Sequence, residues 1–260
     1  MKLLEYIFSV KNNENKTHKI ITILGITIKI KIKKKQEINH TDIWLDKNRI
    51  LRMDANRYDL FDKTRCDFHI DRYRLACEYT EDKIVLDCAS GTGYGADILQ
   101  KLGRAKQVYG LELSKESCEY AQKIYSSEKT KFINGSILDI PFEDNYFDVF
   151  TSFETIEHVD NEEKQFAEIK RVLKNGGIYI LSTPNDWESN VINPYHVRQY
   201  TYSTLKEALS NHFEIIKMYN QNSGTPNRLE NHNQPRSIYE TTQYNQNLAE
   251  CFIAIVKIHK

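Results

Sequence analysis

The stretch VLDCASGTGYGADIL, residues 85–99, decides the fold. Apolar residues lead into Asp87, three glycines follow at alternate positions, and a helical pattern begins directly after them. Three of the chain's ten glycines therefore fall within five residues, at Gly91, Gly93 and Gly95. A tight turn between a strand and a helix needs one glycine, whereas a turn whose backbone approaches a ligand uses several. The stretch thus predicts a ligand-binding turn at the carboxyl end of a strand.

The spacing of these glycines separates two classes of ligand. Dinucleotide-binding enzymes typically carry G-x-G-x-x-G, with the third glycine allowing the helix to pack on the strand. The order here is G-x-G-x-G. It disfavours an oxidoreductase that binds a nicotinamide cofactor.

Strand and helix patterns alternate on both sides of the turn, which predicts a mostly parallel sheet with helices on both faces. The polar stretch at 220–247 is predicted to be a loop or insertion, too polar to bury. Strands are predicted near 84–88, 107–111, 131–134, 147–152, 177–183, 213–219 and 250–258, and helices near 94–102, 115–126, 161–173 and 202–210.

The first part of the chain has a different texture. Residues 18–35, HKIITILGITIKIKIKKK, are rich in β-branched side chains and alternate isoleucine with threonine or lysine. This pattern predicts a small β appendage over residues 1–40, ahead of a main domain at 41–260. Its lysines have two interpretations. They discourage edge-to-edge aggregation of a hairpin, or they make residues 1–36 a docking element for a partner enzyme or the inner membrane surface.

Composition restricts the partners and the compartment. The chain has 36 basic and 36 acidic residues, so it offers no large positive field for nucleic acid. Its five cysteines are scattered without a C-x-x-C pair, which is typical of a reducing compartment. No apolar run approaches the roughly 20 residues of a membrane span, and no signal peptide is evident. We expect a cytoplasmic protein without a transmembrane segment. The sequence makes no prediction about whether the protein is a monomer or an oligomer.

The segment DCASGTGYG closely resembles the first motif of class I S-adenosylmethionine-dependent methyltransferases. The family's other segments are matched in order by HIDRY at 69–73, VYGLELS at 108–114, the run 132–159 and EIKRVLKNGGIYILSTPN at 168–185. The resemblance covers about residues 57–219. It implies a Rossmann-like α/β fold with a seven-stranded, mostly parallel sheet whose last strand is antiparallel. It also implies S-adenosyl-L-methionine as the cofactor and S-adenosyl-L-homocysteine as the product.

The resemblance also implies which residues bind the cofactor. Glu112 is expected to accept hydrogen bonds from both ribose hydroxyls, which suits a carboxylate with two oxygens. Many relatives have aspartate at the position of Ser136, so here its hydroxyl or the Ile137 amide would hold the adenine amino group. The full implied set is Arg72, Asp87, Ala89, Gly91, Thr92, Gly93, Tyr94, Gly95, Glu112, Leu113, Ser136, Ile137 and Phe153.

The acceptor side is expected to contain a histidine base, because a sugar hydroxyl is a poor nucleophile at neutral pH. His196 lies in NPYHVRQY, which resembles motifs of methyltransferases from bacterial polysaccharide clusters. We predict His196 as the general base, with Tyr195 and Arg198 positioning a sugar or nucleotide-sugar acceptor. His158 is the competing base. The N-terminal appendage likewise resembles pieces of bacterial surface-polysaccharide enzymes, so capsule or lipopolysaccharide biosynthesis is the expected context.

The five residues from Glu154 to His158 read E-x-x-E-H. In ubiquinone-type O-methyltransferases a resembling segment is associated with magnesium. Two carboxylates suit a hard cation, whereas a histidine does not favour Mg²⁺. We therefore predict no metal, and Glu154, Glu157 and His158 are the residues that would hold one.

Other functions remain open from the residues alone. The acceptor could be a phenolic quinone precursor, which would favour metal at the E-x-x-E-H segment. It could be a small amine, which needs little activation. A catalytically idle partner that binds the cofactor is the non-enzyme alternative, although the retained glycines and Glu112 disfavour it.

Overall fold

The computed structural model describes residues 8–12, 18–23, 26–31, 53–59, 61–185, 195–222 and 234–260. The chain divides into two compact units, residues 1–50 and residues 51–260. The boundary predicted from the sequence, after residue 40, lies outside the described residues and stays a prediction.

The first unit contains a three-stranded antiparallel sheet with β2 at its centre. In the register, Ile21 of β2 lies opposite Val10 of β1 and Ile28 of β3. The strand pairing expected from the alternating pattern is present in β2 and β3. The strands are β1 (Phe8–Asn12), β2 (His18–Ile23) and β3 (Ile26–Lys31).

The second unit is built on an eight-stranded sheet with the order β10-β9-β11-β8-β7-β4-β5-β6. The five strands that follow one another across the sheet as β8-β7-β4-β5-β6 pair in parallel. Strand β11 pairs antiparallel with both β8 and β9. All seven predicted strands are present, with the predicted antiparallel last strand. The strands are β4 (Ile84–Cys88), β5 (Gln107–Glu112), β6 (Thr130–Asn134), β7 (Phe147–Phe153), β8 (Leu173–Pro184), β9 (Glu214–Asn222), β10 (Ser237–Glu240) and β11 (Cys251–Lys257).

The eighth strand corrects the sequence interpretation of residues 220–247. This stretch was predicted to be a loop too polar to bury, yet Asn220, Gln221 and Asn222 are buried at the end of β9. Strand β10 then pairs antiparallel with β9. Burial is tolerated because the side chains find partners. Asn220 Nδ2, for example, donates to the backbone oxygen of Asn245 at 2.6 Å.

The helices begin where polar side chains cap them. Asp62 accepts from the Arg65 amide, Ser114 from the Ser117 amide and Asn161 from the Lys164 amide, which satisfies free N–H groups of each first turn. All four predicted helices are present. The helices are α1 (Lys63–Ala76), α2 (Tyr94–Lys101), α3 (Lys115–Tyr125), α4 (Glu162–Val172) and α5 (Tyr202–Ser210).

Both faces of the central sheet are buried. The adjacent residues Val85 and Leu86 of β4 are fully buried in different apolar clusters, because successive side chains of a strand point to opposite faces. Such burial on both faces explains the continuous apolar character of these strands. Among the described residues, no helix is long and apolar enough to cross a membrane. The carboxyl ends of β4, β5, β7 and β8 meet at one edge, where the candidate site lies.

Candidate functional site

The turn after β4 has an unusual backbone. Ala89, Gly91 and Gly93 all have positive φ angles, of 58°, 57° and 89°. The amide of Gly93 donates to the Ser90 oxygen, and helix α2 begins at the next residue, Tyr94. The turn thereby carries the backbone from the end of β4 directly into the first turn of a helix.

Two of the three glycines are required by packing within the protein. A Cβ on Gly93 would lie 2.7 Å from Ala121 Cβ and 2.7 Å from the Phe132 ring. A Cβ on Gly95 would overlap the ring of Tyr73, which α1 places across the start of α2. The sequence interpretation attributed all three glycines to close approach of a ligand. At Gly93 and Gly95 the structure gives a second reason, which is close contact between elements.

Glu112, at the end of β5, is bonded to the glycine turn. Its Oε2 accepts from the Gly91 amide at 2.9 Å, and its Oε1 accepts from the Ser114 amide at 2.8 Å. The residue is only 1% exposed. Each carboxylate oxygen has more than one acceptor site, so these bonds leave acceptor capacity for ribose hydroxyls. The neighbouring Leu113 is, by contrast, 69% exposed.

The other turn residues predicted on the cofactor side take part in local contacts. The Ser136 hydroxyl oxygen accepts from the Leu138 amide at 3.1 Å, so it stabilises its own turn, which also contains Ile137. The Thr92 hydroxyl donates to the Met53 oxygen at 3.1 Å. That bond ties the segment before α1 to the glycine turn.

Asp87, the last but one residue of β4, is fully buried. Its Oδ1 accepts from the Thr151 hydroxyl at 2.8 Å, and the Tyr73 hydroxyl lies 3.3 Å from both carboxylate oxygens. Burial raises the pKa of Asp87 to about 7, and these two hydrogen bonds oppose the rise. The Tyr73 ring makes edge contacts with Tyr94 and Phe153, at centroid distances of 5.5 and 4.8 Å.

Arg72, on α1, is fully buried. Its Nε donates to Gln221 Oε1 at 2.7 Å, its Nη1 lies 3.1 Å from Glu154 Oε1, and its guanidinium stacks 4.2 Å from the centroid of the Phe68 ring. Its Nη2 has no hydrogen-bond partner among the described residues. A buried donor of this kind is rare unless a ligand or water completes it.

The carboxylates of Glu154 and Glu157 contact different groups, although the two residues are only three positions apart. Glu154 has a φ of 51°, and its carboxylate lies near Arg72, the Ser182 hydroxyl at 3.2 Å and the Cys251 thiol at 3.4 Å. Glu157 is 1% exposed and accepts from the Thr183 hydroxyl at 3.0 Å. Burial, followed by the charge of Glu154, raises the pKa of Glu157 well above its ordinary value.

The two candidate bases lie side by side. The ring centroids of His158 and His196 are 4.8 Å apart, with the rings nearly perpendicular. His158 Nδ1 lies 2.8 Å from the backbone oxygen of Tyr195, and its Nε2 lies 3.8 Å from Glu157 Oε1. Because a carbonyl oxygen only accepts, Nδ1 carries the proton and Nε2 keeps its lone pair in the neutral ring.

Arg198 and Tyr195 differ in availability. The Arg198 guanidinium donates to the backbone oxygens of Val159 at 2.8 Å and Asp160 at 3.1 Å, with Glu162 3.6 Å away. These contacts favour a role in fastening residues 195–200 to the segment after β7. The side chain of Tyr195 is 50% exposed. Residues 186–194, which include the start of the NPYHVRQY segment, lie outside the described residues.

Sequence reasoning did not single out Gln221 or Thr183. Gln221 orients Arg72 and also donates to the Phe68 oxygen at 2.8 Å. Thr183 fixes the carboxylate of Glu157. The only signal in the sequence is a polar side chain at the end of a strand, and at Gln221 that signal was interpreted as the start of a loop.

Comparison with known proteins agrees with this geometry. Residues 86–181 match the family model described as a methyltransferase domain. Over 130 residues the chain is 30% identical to a probable S-adenosylmethionine-dependent methyltransferase of Mycolicibacterium smegmatis, covering 48% of this chain and 49% of the relative. Over 145 residues it is 29% identical to a ubiquinone/menaquinone biosynthesis C-methyltransferase of Desulfotalea psychrophila, covering 54% and 59% of the two chains.

A solved structure extends the likeness to the fold. It is the complex of a putative methyltransferase with the Haloferax volcanii Trm112 methyltransferase activator. The match has a TM-score of 0.59 at 16% identity, and covers 80% of this chain and 99% of the other. Residues 86–181 are thus similar to a methyltransferase domain, and the sheet has the fold of the solved methyltransferase structure. The predicted fold is confirmed, and the predicted methyltransferase class agrees with these similarities, whose alignments span about half the length of the first curated relatives.

The residues at this edge of the sheet fit S-adenosylmethionine, the cofactor in the name of the relative to which the chain is similar. Glu112 has acceptor capacity for ribose hydroxyls beside the glycine turn. The buried Arg72 Nη2, without a partner among the described residues, suits the carboxylate of the methionine part. The Ser90 hydroxyl in the turn itself is also buried without a partner there. Carboxylate, cation and hydroxyl together match the donors and acceptors of S-adenosylmethionine.

Proposed function

We propose that this chain transfers a methyl group from S-adenosylmethionine to a hydroxyl of a sugar or nucleotide-linked sugar. The observation that carries the proposal is the His158–His196 pair, in which His158 follows β7 and His196 follows β8. The strand next to β7 is β4, which leads into the glycine turn. A proton acceptor beside a cofactor edge is what transfer to a poorly nucleophilic hydroxyl needs.

When bound, the cofactor supplies a methyl group on a positively charged sulfur. The chain's own residues align the acceptor and take its proton. The cofactor would give up this methyl group to the acceptor oxygen and leave as S-adenosylhomocysteine, while a histidine nitrogen takes the hydroxyl proton. The Nδ1 contact with Tyr195 supports His158 as that base, because it leaves Nε2 free to accept. His196, the base expected from the sequence, is then its neighbour.

The sugar acceptor is supported by the segment that follows β8. The exposed Tyr195 ring offers a flat apolar face of the kind on which the C–H face of a sugar packs. The resemblances of the N-terminal segment and of NPYHVRQY support bacterial capsule or lipopolysaccharide biosynthesis as the context of the reaction. We infer a cytoplasmic enzyme, with residues 1–36 as the element that docks on a partner or the inner membrane face.

A quinone precursor is the second candidate acceptor. It is favoured by the similarity to a ubiquinone/menaquinone biosynthesis C-methyltransferase. A phenolic hydroxyl is more acidic than a sugar hydroxyl, so methyl transfer to a phenol depends less on a protein base. The response to loss of the histidines therefore separates the two acceptors.

The first test is a methyl-transfer screen with labelled S-adenosylmethionine. Nucleotide-sugars, sugar phosphates, phenolic quinone precursors and small amines are offered, and products are identified by mass. Transfer to a sugar supports the proposal. Transfer only to a phenol or an amine overturns the sugar acceptor, and cofactor binding without transfer to any class supports an idle binding partner.

A second test assigns the base. We expect His158→Ala to lower kcat about 10²–10⁴-fold while cofactor affinity by calorimetry is retained. His196→Ala should have the smaller effect on kcat at saturating acceptor. The reverse order would return the base role to His196. Undiminished rates in both variants would exclude a histidine base.

A further inference from the structure

Glu157, His158 and His196 bring three metal-ligand groups to one point. One ligand atom from each lies within 4.8 Å of the other two. Glu157 Oε1 and His158 Nε2 are 3.8 Å apart. A tetrahedral cation with bonds of about 2.0–2.1 Å needs ligand atoms about 3.3 Å apart. Small rotations of the side chains therefore suffice to close the three groups around a cation.

The Glu157 carboxylate provides the second observation. Its Oε2 accepts from the Thr183 hydroxyl at 3.0 Å, which fixes the direction of the carboxylate. Its Oε1, the oxygen nearest His158, is buried and has no hydrogen-bond partner among the described residues. A buried carboxylate oxygen without a partner is costly, and a cation beside it would remove the cost.

His158 is held as a metal-ligating histidine usually is. Its Nδ1–H donates to the Tyr195 backbone oxygen at 2.8 Å, which fixes the tautomer and turns Nε2 towards Glu157. Ligating histidines commonly donate their other ring N–H to a carbonyl or carboxylate in this way. The segment that contains Tyr195 also contributes His196. Its Val197 amide donates to the backbone oxygen of Glu157 at 2.9 Å. The segment is thereby held against the Glu157 backbone.

The structure changes the ligand set that the E-x-x-E-H pattern suggested. The Glu154 carboxylate is taken up by Arg72, Ser182 and Cys251, so it does not join Glu157. His196 takes the place of Glu154, from a position 38 residues after His158 in the chain. Two imidazoles and one carboxylate favour Zn²⁺ or another divalent transition-metal cation, from Mn²⁺ to Ni²⁺, whereas Mg²⁺ prefers oxygen ligands.

We propose that Glu157, His158 and His196 form a binding site for one divalent transition-metal cation of the zinc class. Three protein ligands leave at least one coordination position for water or for an acceptor oxygen. The base role proposed above for His158 then applies to the metal-free protein, because in the loaded protein both histidines are ligands; this consequence rests on the proposed function. Binding of the cation itself does not depend on that transfer.

The test measures cation binding by the full-length, metal-free protein under reducing conditions, without S-adenosylmethionine or acceptor. Zn²⁺ is titrated by calorimetry, and Co²⁺ is followed by its visible absorption. We expect one equivalent to bind, without the thiolate-to-cobalt bands that the cysteines would give. In His196→Ala the affinity should fall by more than the about 10–100-fold typical of losing an outer-shell partner. His259→Ala is the matched control. Among the described residues His259 pairs only with Glu214, and because this exposed pair offers two metal-ligand groups instead of three, its loss should leave the affinity unchanged.

A second variant, Glu157→Gln, keeps the shape of the side chain and removes the carboxylate that would bind the cation. Thermal unfolding verifies that each variant is folded. Failure of the wild type to bind Zn²⁺ would overturn the proposal, as would equal binding by the His158→Ala/His196→Ala double variant. Displacement of Zn²⁺ by an equimolar amount of Mg²⁺ would overturn the assigned cation class. Because neither the cofactor nor turnover enters the measurement, its result is independent of whether the methyl-transfer screen succeeds.

Discussion

Arg72 Nε donates a 2.7 Å hydrogen bond to Gln221 Oε1, and the two residues are 149 positions apart in the chain. The bond joins α1, which crosses the glycine turn, to the end of β9. Gln221 Nε2 also donates to the Phe68 oxygen, so one buried amide fixes both the arginine and its helix. The orientation of Arg72 therefore depends on a residue of β9, which lies beyond β8 and β11 from β4 in the order of the sheet.

Gln221→Met should lower both stability and cofactor affinity. The substitution keeps the length of the side chain but leaves Arg72 Nε and the Phe68 oxygen without a partner. Each buried polar group left unpaired costs about 1–3 kcal/mol. Thermal unfolding and calorimetry with S-adenosylmethionine measure the two effects, with the exposed Gln243→Met as the control. An unchanged unfolding temperature would show that the Gln221 bonds contribute nothing.

Glu112→Gln should weaken cofactor binding by at least about tenfold, because it removes a charged acceptor of ribose hydroxyls. It should also destabilise the fold by about 1–3 kcal/mol, since the amide group must face the Gly91 or Ser114 N–H. This second effect follows from burial, which the sequence did not indicate. The exposed Glu116→Gln, in the first turn of α3, is the control. Calorimetry that gives equal affinity for wild type and Glu112→Gln would refute the assignment.

Gly95→Ala should destabilise the protein by about 1–3 kcal/mol, because the added methyl group overlaps the Tyr73 ring. Denaturant unfolding measures the loss, and calorimetry at a temperature where the variant is folded measures cofactor affinity. A variant with full stability but weak cofactor binding would show that the glycine serves the ligand rather than the contact with α1.

Asp87→Asn should change how stability depends on pH. The pKa of Asp87 is about 7 in the folded protein and 3.8 in its unperturbed form, so folding favours its protonated form. Its contribution is complete below pH 3.8, declines as pH rises to about 7 and is then constant. The decline is at most about 1.4 kcal/mol per pH unit. The asparagine does not ionise, so the stability difference between wild type and variant should follow this decline in urea unfolding. Parallel pH curves for the two proteins would contradict it.

Local patterns in the sequence were sufficient for the scaffold of the methyltransferase domain. The strands β4, β7 and β11 are largely apolar and buried on both faces, and helices of the same unit carry polar capping residues. The three closely spaced glycines mark a turn that must reach left-handed backbone angles. These features depend on neighbouring residues, so period and turn chemistry reveal them.

The composition of the site was decided only by the tertiary structure. The sequence named His158 and His196 separately, and folding places their rings 4.8 Å apart. It grouped Glu154 with Glu157, whereas Arg72 of α1 draws Glu154 away and leaves Glu157 facing His158. A polar stretch does not reveal that Gln221 is buried, because burial depends on the partners that distant segments supply. The sequence alone thus determined where the turn, the main helices and all strands of the sheet except β10 form, and tertiary packing decided which charged and polar groups meet, because those contacts join residues far apart in the chain.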